Sequence, residues 1–201
     1  MLHKILYCSL LLGMLSSCKL KVVSIRNDQG KVEERYQVMR KQKEVKHGFY
    51  KFYHLNGKVA IDRMYIRGKV DGDEKTYYDN GQLESVAIVK KGVYDGPFYY
   101  YYEDGTIKQE GEYIKNSIEG QLKTYYSSGQ LKETVTMLKT MEQGPFIEYY
   151  ENGNLRAKGA YKDGDQKHGV IEIYSSEGVL IRKLDCELGK CETIWEKYAR
   201  P

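Results

Sequence analysis

Apolar and polar residues alternate in short runs through most of this chain, and the runs stop at glycines. Glu74 to Tyr78 is a short β-prone stretch ending in two tyrosines. Asp79-Asn80-Gly81 follows it, and Leu83 to Val89 makes a second run. Such alternation sends successive side chains to opposite faces of a strand. An Asn-Gly pair between two runs signals a hairpin, because it tolerates the positive φ angles of a type I′ turn. Lys91-Gly92 then opens the turn into the next pair of runs. No segment beyond the first eighteen residues sustains a 3.6-residue apolar period, so helix is disfavoured. The one exception is Thr193 to Arg200, read as a short terminal helix.

The pattern repeats every 24 residues. Gly48, Gly72, Gly96, Gly120, Gly144 and Gly169 open successive units, with one step of 25. Gly57, Gly81, Gly105, Gly129, Gly153 and Gly178 mark the hairpin turns. Five residues after each opening glycine stands a tyrosine: Tyr53, Tyr77, Tyr101, Tyr125, Tyr149 and Tyr174. An aliphatic follows each turn glycine, from Val59 to Leu180. Gly68, Gly92, Gly164 and Gly189 form a third series, in which Asn116 and Thr140 fill the remaining slots. Gly30, Val32 and Tyr36 imitate half a unit upstream. Pro97 and Pro145 follow opening glycines, where the start of a strand tolerates a missing N–H. The expected fold is all-β, an elongated array of antiparallel β-hairpins in a single twisted sheet over residues 26–195, with a tail at 196–201. Seven hairpins would extend about 65 Å at the usual strand spacing.

The motif Tyr-x-x-Gly-x-x-x-Gly-x-x-x-x-Tyr-Tyr-x-x-Gly-x-Leu resembles the MORN repeat in its bacterial variant form. Tyr161-Lys-Asp-Gly164 and the stretch from Gly144 to Leu155 match it closely. The likeness covers about residues 30–190. Asn116 and Thr140 depart from it, and His54 stands where most units have a second tyrosine. The resemblance implies an elongated sheet of stacked hairpins and protein-interaction or scaffolding roles. Some bacterial relatives carry an antitoxin-like label.

A two-residue Asn-Gly loop would set Tyr78 opposite Leu83, Tyr102 opposite Ile107, Tyr126 opposite Leu131 and Tyr150 opposite Leu155. A three-residue turn with a bulge would change that register. The more apolar face then gathers Phe98, Tyr100, Leu122, Phe146, Val135 and Tyr161. The first tyrosine of each pair points the other way, among lysines, arginines and glutamates. Tyr53, Tyr77, Tyr101, Tyr125, Tyr149 and Tyr174 are therefore the candidate binding residues. The alternative is that they cover the sheet and pack on lysine and arginine stems.

Lys4 and the apolar run Ile5 to Leu15 have the form of a secretory signal peptide over residues 1–17, helical and too short for a permanent span. Leu15-Ser16-Ser17-Cys18 resembles the bacterial lipobox, which implies lipidation of Cys18 after cleavage. An ordinary signal peptide with a chance cysteine is the other reading. Residues 18–25 then serve as lipid anchor and short linker, and the protein belongs in the cell envelope, at the outer membrane or the periplasmic face. Removing residues 1–17 takes away one lysine and no acid, so the formal charge becomes 31 − 28 = +3. That balance, spread along the chain, carries no footprint for nucleic acid. Cys186 and Cys191, five apart, form a disulfide in an oxidising compartment, or else remain two thiols. Scattered histidines complete no zinc site with them, so no metal and no cofactor is expected.

No nucleophile–base pair, phosphate-cradling loop or metal motif stands out, and the chain reads as no enzyme. The leading expectation is a membrane-anchored scaffold for an unidentified protein partner. Glycan or peptidoglycan binding through the tyrosine ladder, and antitoxin-like neutralisation, are the alternatives.

Overall fold

The computed structural model describes residues 20–197. The expected signal peptide, Cys18 and residues 198–201 lie outside them. Strand β1 (Leu20–Arg26) pairs with β2 (Val32–Met39), β2 with β3 (Gln42–Tyr53), and β3 with β4 (Val59–Ile66). Strand β4 pairs with both the two-residue β5 (Lys69–Val70) and β6 (Gly72–Tyr77). The sheet continues in strict sequence order through β7 (Leu83–Lys90), β8 (Val93–Tyr101), β9 (Ile107–Ile114), β10 (Ser117–Tyr125) and β11 (Leu131–Leu138). It ends with β12 (Met141–Tyr149), β13 (Leu155–Lys162), β14 (Gln166–Tyr174), β15 (Leu180–Glu187) and β16 (Lys190–Glu196). All strand pairs are antiparallel, so the described residues form one open all-β sheet, as the repeat pattern implied.

Two boundaries differ from expectation. Leu20 to Ile25, read as linker, belongs to β1, because six of its residues pair regularly with β2. Thr193 to Glu196, read as the start of a helix, lies in β16. Its backbone groups find partners on β15, whereas a helix that short has little stability of its own.

The Asn-Gly turn takes the three-residue, bulged form that stood as the alternative in the sequence, not the type I′ form. At the Asn-Gly turn, the Gly81 amide donates to Tyr78 O and the Tyr78 amide to Gln82 O, both at 2.9 Å. Only Gly81 takes a positive φ, 91°, and the Asn80 side chain accepts from the Gln82 amide at 2.8 Å. This is a three-residue loop with a glycine bulge. The two-residue type I′ turns lie between units instead. Lys91 (φ 52°) and Gly92 (φ 84°) join Lys90 to its partner Val93. Near Gly164 the turn gains Asp165 before Gln166 pairs with Lys162, which accounts for the 25-residue step.

Pro97 and Pro145 sit inside β8 and β12, not at strand starts. On one side they pair with Glu112 and Ala160. On the other the ladder skips from Ala87–Phe98 to Val89–Tyr94, and from Val135–Phe146 to Met137–Glu142. The missing proline N–H falls in that bulge.

Burial is confined to one face. Phe98, Phe146 and Ile171 are 1% exposed, and Val135, Met137, Ala157 and Cys186 join Phe146 and Ile171 in one cluster. Phe98 lies opposite Gly111, and Phe146 opposite Gly159. A Cβ on Gly111 would stand 2.8 Å from the Phe98 ring, and one on Gly159 would strike both Phe146 and Ile171. A 48-residue alternation of large and absent side chains thus overlies the 24-residue repeat. Cys186 and Cys191 face each other across β15 and β16 and are joined, with Cα atoms 4.0 Å apart.

Candidate interaction surface

The bulged turns decide where the tyrosines go. The first of each pair, not the second, stands opposite the aliphatic: Tyr53 with Val59, Tyr77 with Leu83, Tyr101 with Ile107. Tyr125, Tyr149 and Tyr174 follow suit with Leu131, Leu155 and Leu180. All six are half-buried. Charged neighbours hold two of their hydroxyls: Tyr125 donates to Glu110 at 2.8 Å, beside Lys123, and Tyr174 donates to Glu172 at 2.7 Å. Burial, then the Glu110 carboxylate, pushes the Tyr125 hydroxyl up to about 12. Glu172 also accepts from Lys183 at 2.8 Å and Lys158 at 2.9 Å. Lys183, the Tyr174 hydroxyl and Lys158 together bring its carboxyl down to about 2. These six candidate residues share one face and form a row, but much of the row is closed by its own neighbours.

The second tyrosine has a task the spacing did not reveal. Tyr78, Tyr102, Tyr126 and Tyr150 donate to the carbonyls of Tyr101, Tyr125, Tyr149 and Tyr174, at 2.6 to 2.9 Å. Each ring reaches from one hairpin turn to the next unit. His54 makes the same link through Nε2 to Tyr77 O at 2.7 Å. Its departure from the motif therefore keeps a donor at the ring tip. That shared donor was the signal in the sequence.

The opposite face carries a second set of rings, packed on one another and on charged side chains. In its middle, Phe98 meets Tyr113 at 4.6 Å and Tyr100 edge-on at 5.7 Å. Tyr100 is 40% exposed. Toward the amino terminus the Lys46 ammonium lies over Tyr50 at 4.3 Å and Tyr36 at 4.7 Å, and the Arg63 guanidinium over Tyr50 at 4.7 Å. Arg63 also pairs with Glu74 at 2.7 Å. Glu74 receives the Tyr94 hydroxyl as well, and that bond, with burial, raises Tyr94 to about 12. Toward the carboxyl terminus Phe146 packs on Tyr161 at 4.6 Å. Glu133 and Glu148 stand directly opposite each other beside them. Burial, then Glu148 and Glu142, raises the Glu133 carboxyl above its ordinary value. Rings flanked by charges of both signs along one sheet face can hold a polypeptide by stacking and by complementary ion pairs.

The chain is similar to known repeats over its central part. Residues 70–91, 94–115, 118–139 and 142–163 match the model of the MORN repeat variant. No curated protein matches the chain. Outside the matched residues the same turn recurs, with Gly57 donating to His54 O and Gly178 to Ser175 O.

Proposed function

Because this chain is a MORN-repeat protein, we propose that it is a protein-binding scaffold, tethered in the bacterial cell envelope by a lipid on Cys18. Repeats of this kind are generally associated with protein or membrane interactions. The observation that carries the reading is the aromatic face centred on Tyr100, Phe98 and Tyr113. Exposed aromatics set in a packed apolar strip are what protein interfaces favour. The Tyr53-to-Tyr174 row is the weaker candidate, since its rings are half-covered and two hydroxyls are committed to Glu110 and Glu172. The membrane tether is supported by Leu15-Ser16-Ser17-Cys18.

A photo-reactive phenylalanine analogue at position 100 tests the binding face in intact cells. A defined cross-linked protein from position 100, and none from position 112, where exposed Glu112 pairs with Pro97 on the other face, is the expected result. Equal cross-linking from both positions, or none from either, overturns the reading. Retention on purified cell wall that survives Tyr100→Ala would move the assignment to a glycan. Release of the protein into the soluble fraction by Cys18→Ser tests the tether.

A further inference from the structure

We infer that the long edge formed by the between-unit turns is a second docking surface, which takes an extended acidic segment of another protein that also bears apolar residues. It lies away from the aromatic face and does not rest on that reading.

Four successive type I′ turns begin with a cation: Arg67, Lys91, Lys115 and Lys139, each at φ 50–52°. The turn itself does not call for one. That position favours Asn, Asp or Gly, and the next turn has Asp163 there. The backbone does not need the charge either. The Arg67 amide donates to His47 Nδ1 at 3.2 Å, and the Lys139 amide to Glu119 at 3.1 Å. All four side chains are exposed. No ion pair among the described residues involves them.

A row of aliphatics accompanies the cations. Ile66, Ile114 and Leu138 each end a return strand and are 47–49% exposed. Successive side chains alternate, so Ile114 and Leu138 stand on the face opposite Tyr113 and the buried Met137. Met141, the partner of Leu138, is 51% exposed. Where Lys90 ends the strand, its partner Val93 supplies the aliphatic. Both rows stop together, because the following turn, Lys162-Asp163-Gly164-Asp165, has neither an aliphatic nor a leading cation. Contiguous exposed apolar residues mark interaction sites, whereas single ones need no explanation.

The surroundings specify the occupant. The four turns hold six cations and no carboxylate. Asp95, just beyond them, is taken by Lys90 at 2.9 Å. Further in on the same face Glu112 and Glu119 stand paired, and their charge confines an acidic chain to the rim, clear of position 112. A second copy offers acidic turns on its other long edge, with Asp79, Glu103, Asp104 and Glu151. Those turns carry no aliphatic to meet Ile114 and Leu138. A bilayer is flat, whereas sheets twist by about 20–25° per strand. That turns successive units through about 40–50° and carries the row around the ribbon. An extended segment follows such a path. At about 3.3 Å per residue, three to four residues step the roughly 10 Å between units.

A fluorescent peptide of four Glu-Leu-Ser-Gly blocks, titrated into the full chain and read by anisotropy, tests the assignment. The expected result is saturable binding, weakened at least about tenfold when the peptide's leucines become serine. The double variants Lys115→Gln with Lys139→Gln, and Ile114→Ser with Leu138→Ser, should weaken it as much while thermal unfolding stays unchanged. Tyr100→Ala should leave the titration as it was. No binding at millimolar peptide overturns the inference, and so does equal binding of the leucine-free peptide, which would leave a charge effect alone. Loss of binding with Tyr100→Ala would place the peptide on the aromatic face and overturn it too. Self-association that Lys115→Gln with Lys139→Gln abolishes would make the occupant a second copy. A preference for phosphatidylglycerol over phosphatidylcholine vesicles that the same variant removes, without peptide binding, would make it a lipid surface. Either result overturns the inference.

Discussion

The hydroxyl of Tyr102 donates to the backbone carbonyl of Tyr125 at 2.7 Å, so a side chain in one unit closes on the main chain of the next. Tyr78, Tyr126 and Tyr150 repeat the contact, and His54 begins the series. In a linear array, stability is approximately a sum of unit and interface terms. These bonds belong to the interface term. Tyr102→Phe should therefore cost about 1 kcal/mol and speed hydrogen exchange only at the turns it joins. Removing all four hydroxyls together should split a single thermal transition into several. A quadruple variant that still melts in one sharp step would show that strand pairing alone couples the units.

Gly159 touches the Phe146 ring and the Ile171 methyl, with no room for a Cβ. Its backbone is not in the positive-φ region, so the requirement is space alone. Gly159→Ala should destabilise by about 1–3 kcal/mol through overpacking, and Phe146→Leu in the same chain should recover part of that. Gly105 makes the contrast: it has φ 89° and nothing within 4 Å. Its alanine variant should lose stability through the backbone, and no partner substitution should rescue it. Denaturant midpoints of Gly159→Ala with and without Phe146→Leu, and of Gly105→Ala with and without Phe146→Leu, distinguish the causes.

The fold was legible because turn glycines and paired tyrosines recur at one spacing, and each marks a local event. The register was not. It depends on whether Asn80 takes a positive φ or uses its side chain to hold the Gln82 amide, and it does the latter. That choice put Tyr77 rather than Tyr78 opposite Leu83. The residues flanking the tyrosine row were legible only as charged stems beside the rings. Glu110 and Glu172 instead fold onto Tyr125 and Tyr174. The wells under Phe98 and Phe146 escaped notice because Gly111 and Gly159 lie outside the three turn series, although their 48-residue spacing is written in the chain.

Asn116 and Thr140 replace turn glycines for a reason the sequence did not show. Each amide donates to a carbonyl of the preceding unit, Tyr94 O and Ile118 O. Each side-chain oxygen accepts the amide of that same residue, at 2.8 and 3.0 Å. Thr140 does so at φ 63°, where a β-branched residue is strained. Thr140→Asn keeps the acceptor and eases the backbone, and should stabilise by about 1 kcal/mol. Thr140→Val keeps the strain, loses the acceptor, and should cost about 1–2 kcal/mol. If asparagine and valine shift the urea midpoint in the same direction, the reciprocal bond has no weight.

Glu172 and Glu133 should give opposite responses to pH. Lys183, Tyr174 and Lys158 hold the Glu172 carboxyl at about 2, below its ordinary 4.5. The unfolded chain binds the proton more readily, so this contribution is present above pH 4.5 and fades as pH falls toward 2. Glu172→Gln should therefore lose about 1 kcal/mol at pH 7, with the deficit closing in acid. Burial, Glu148 and Glu142 raise Glu133 above 4.5. There the native state binds the proton more readily, and stability falls as pH rises from 4.5 through the raised value. Glu133→Gln should be more stable than the parent at pH 7 and lose that advantage below pH 4.5. Urea midpoints for both variants across pH 2 to 7 provide the measurement. If both shift in the same direction at neutral pH, net charge rather than these local contacts governs the response.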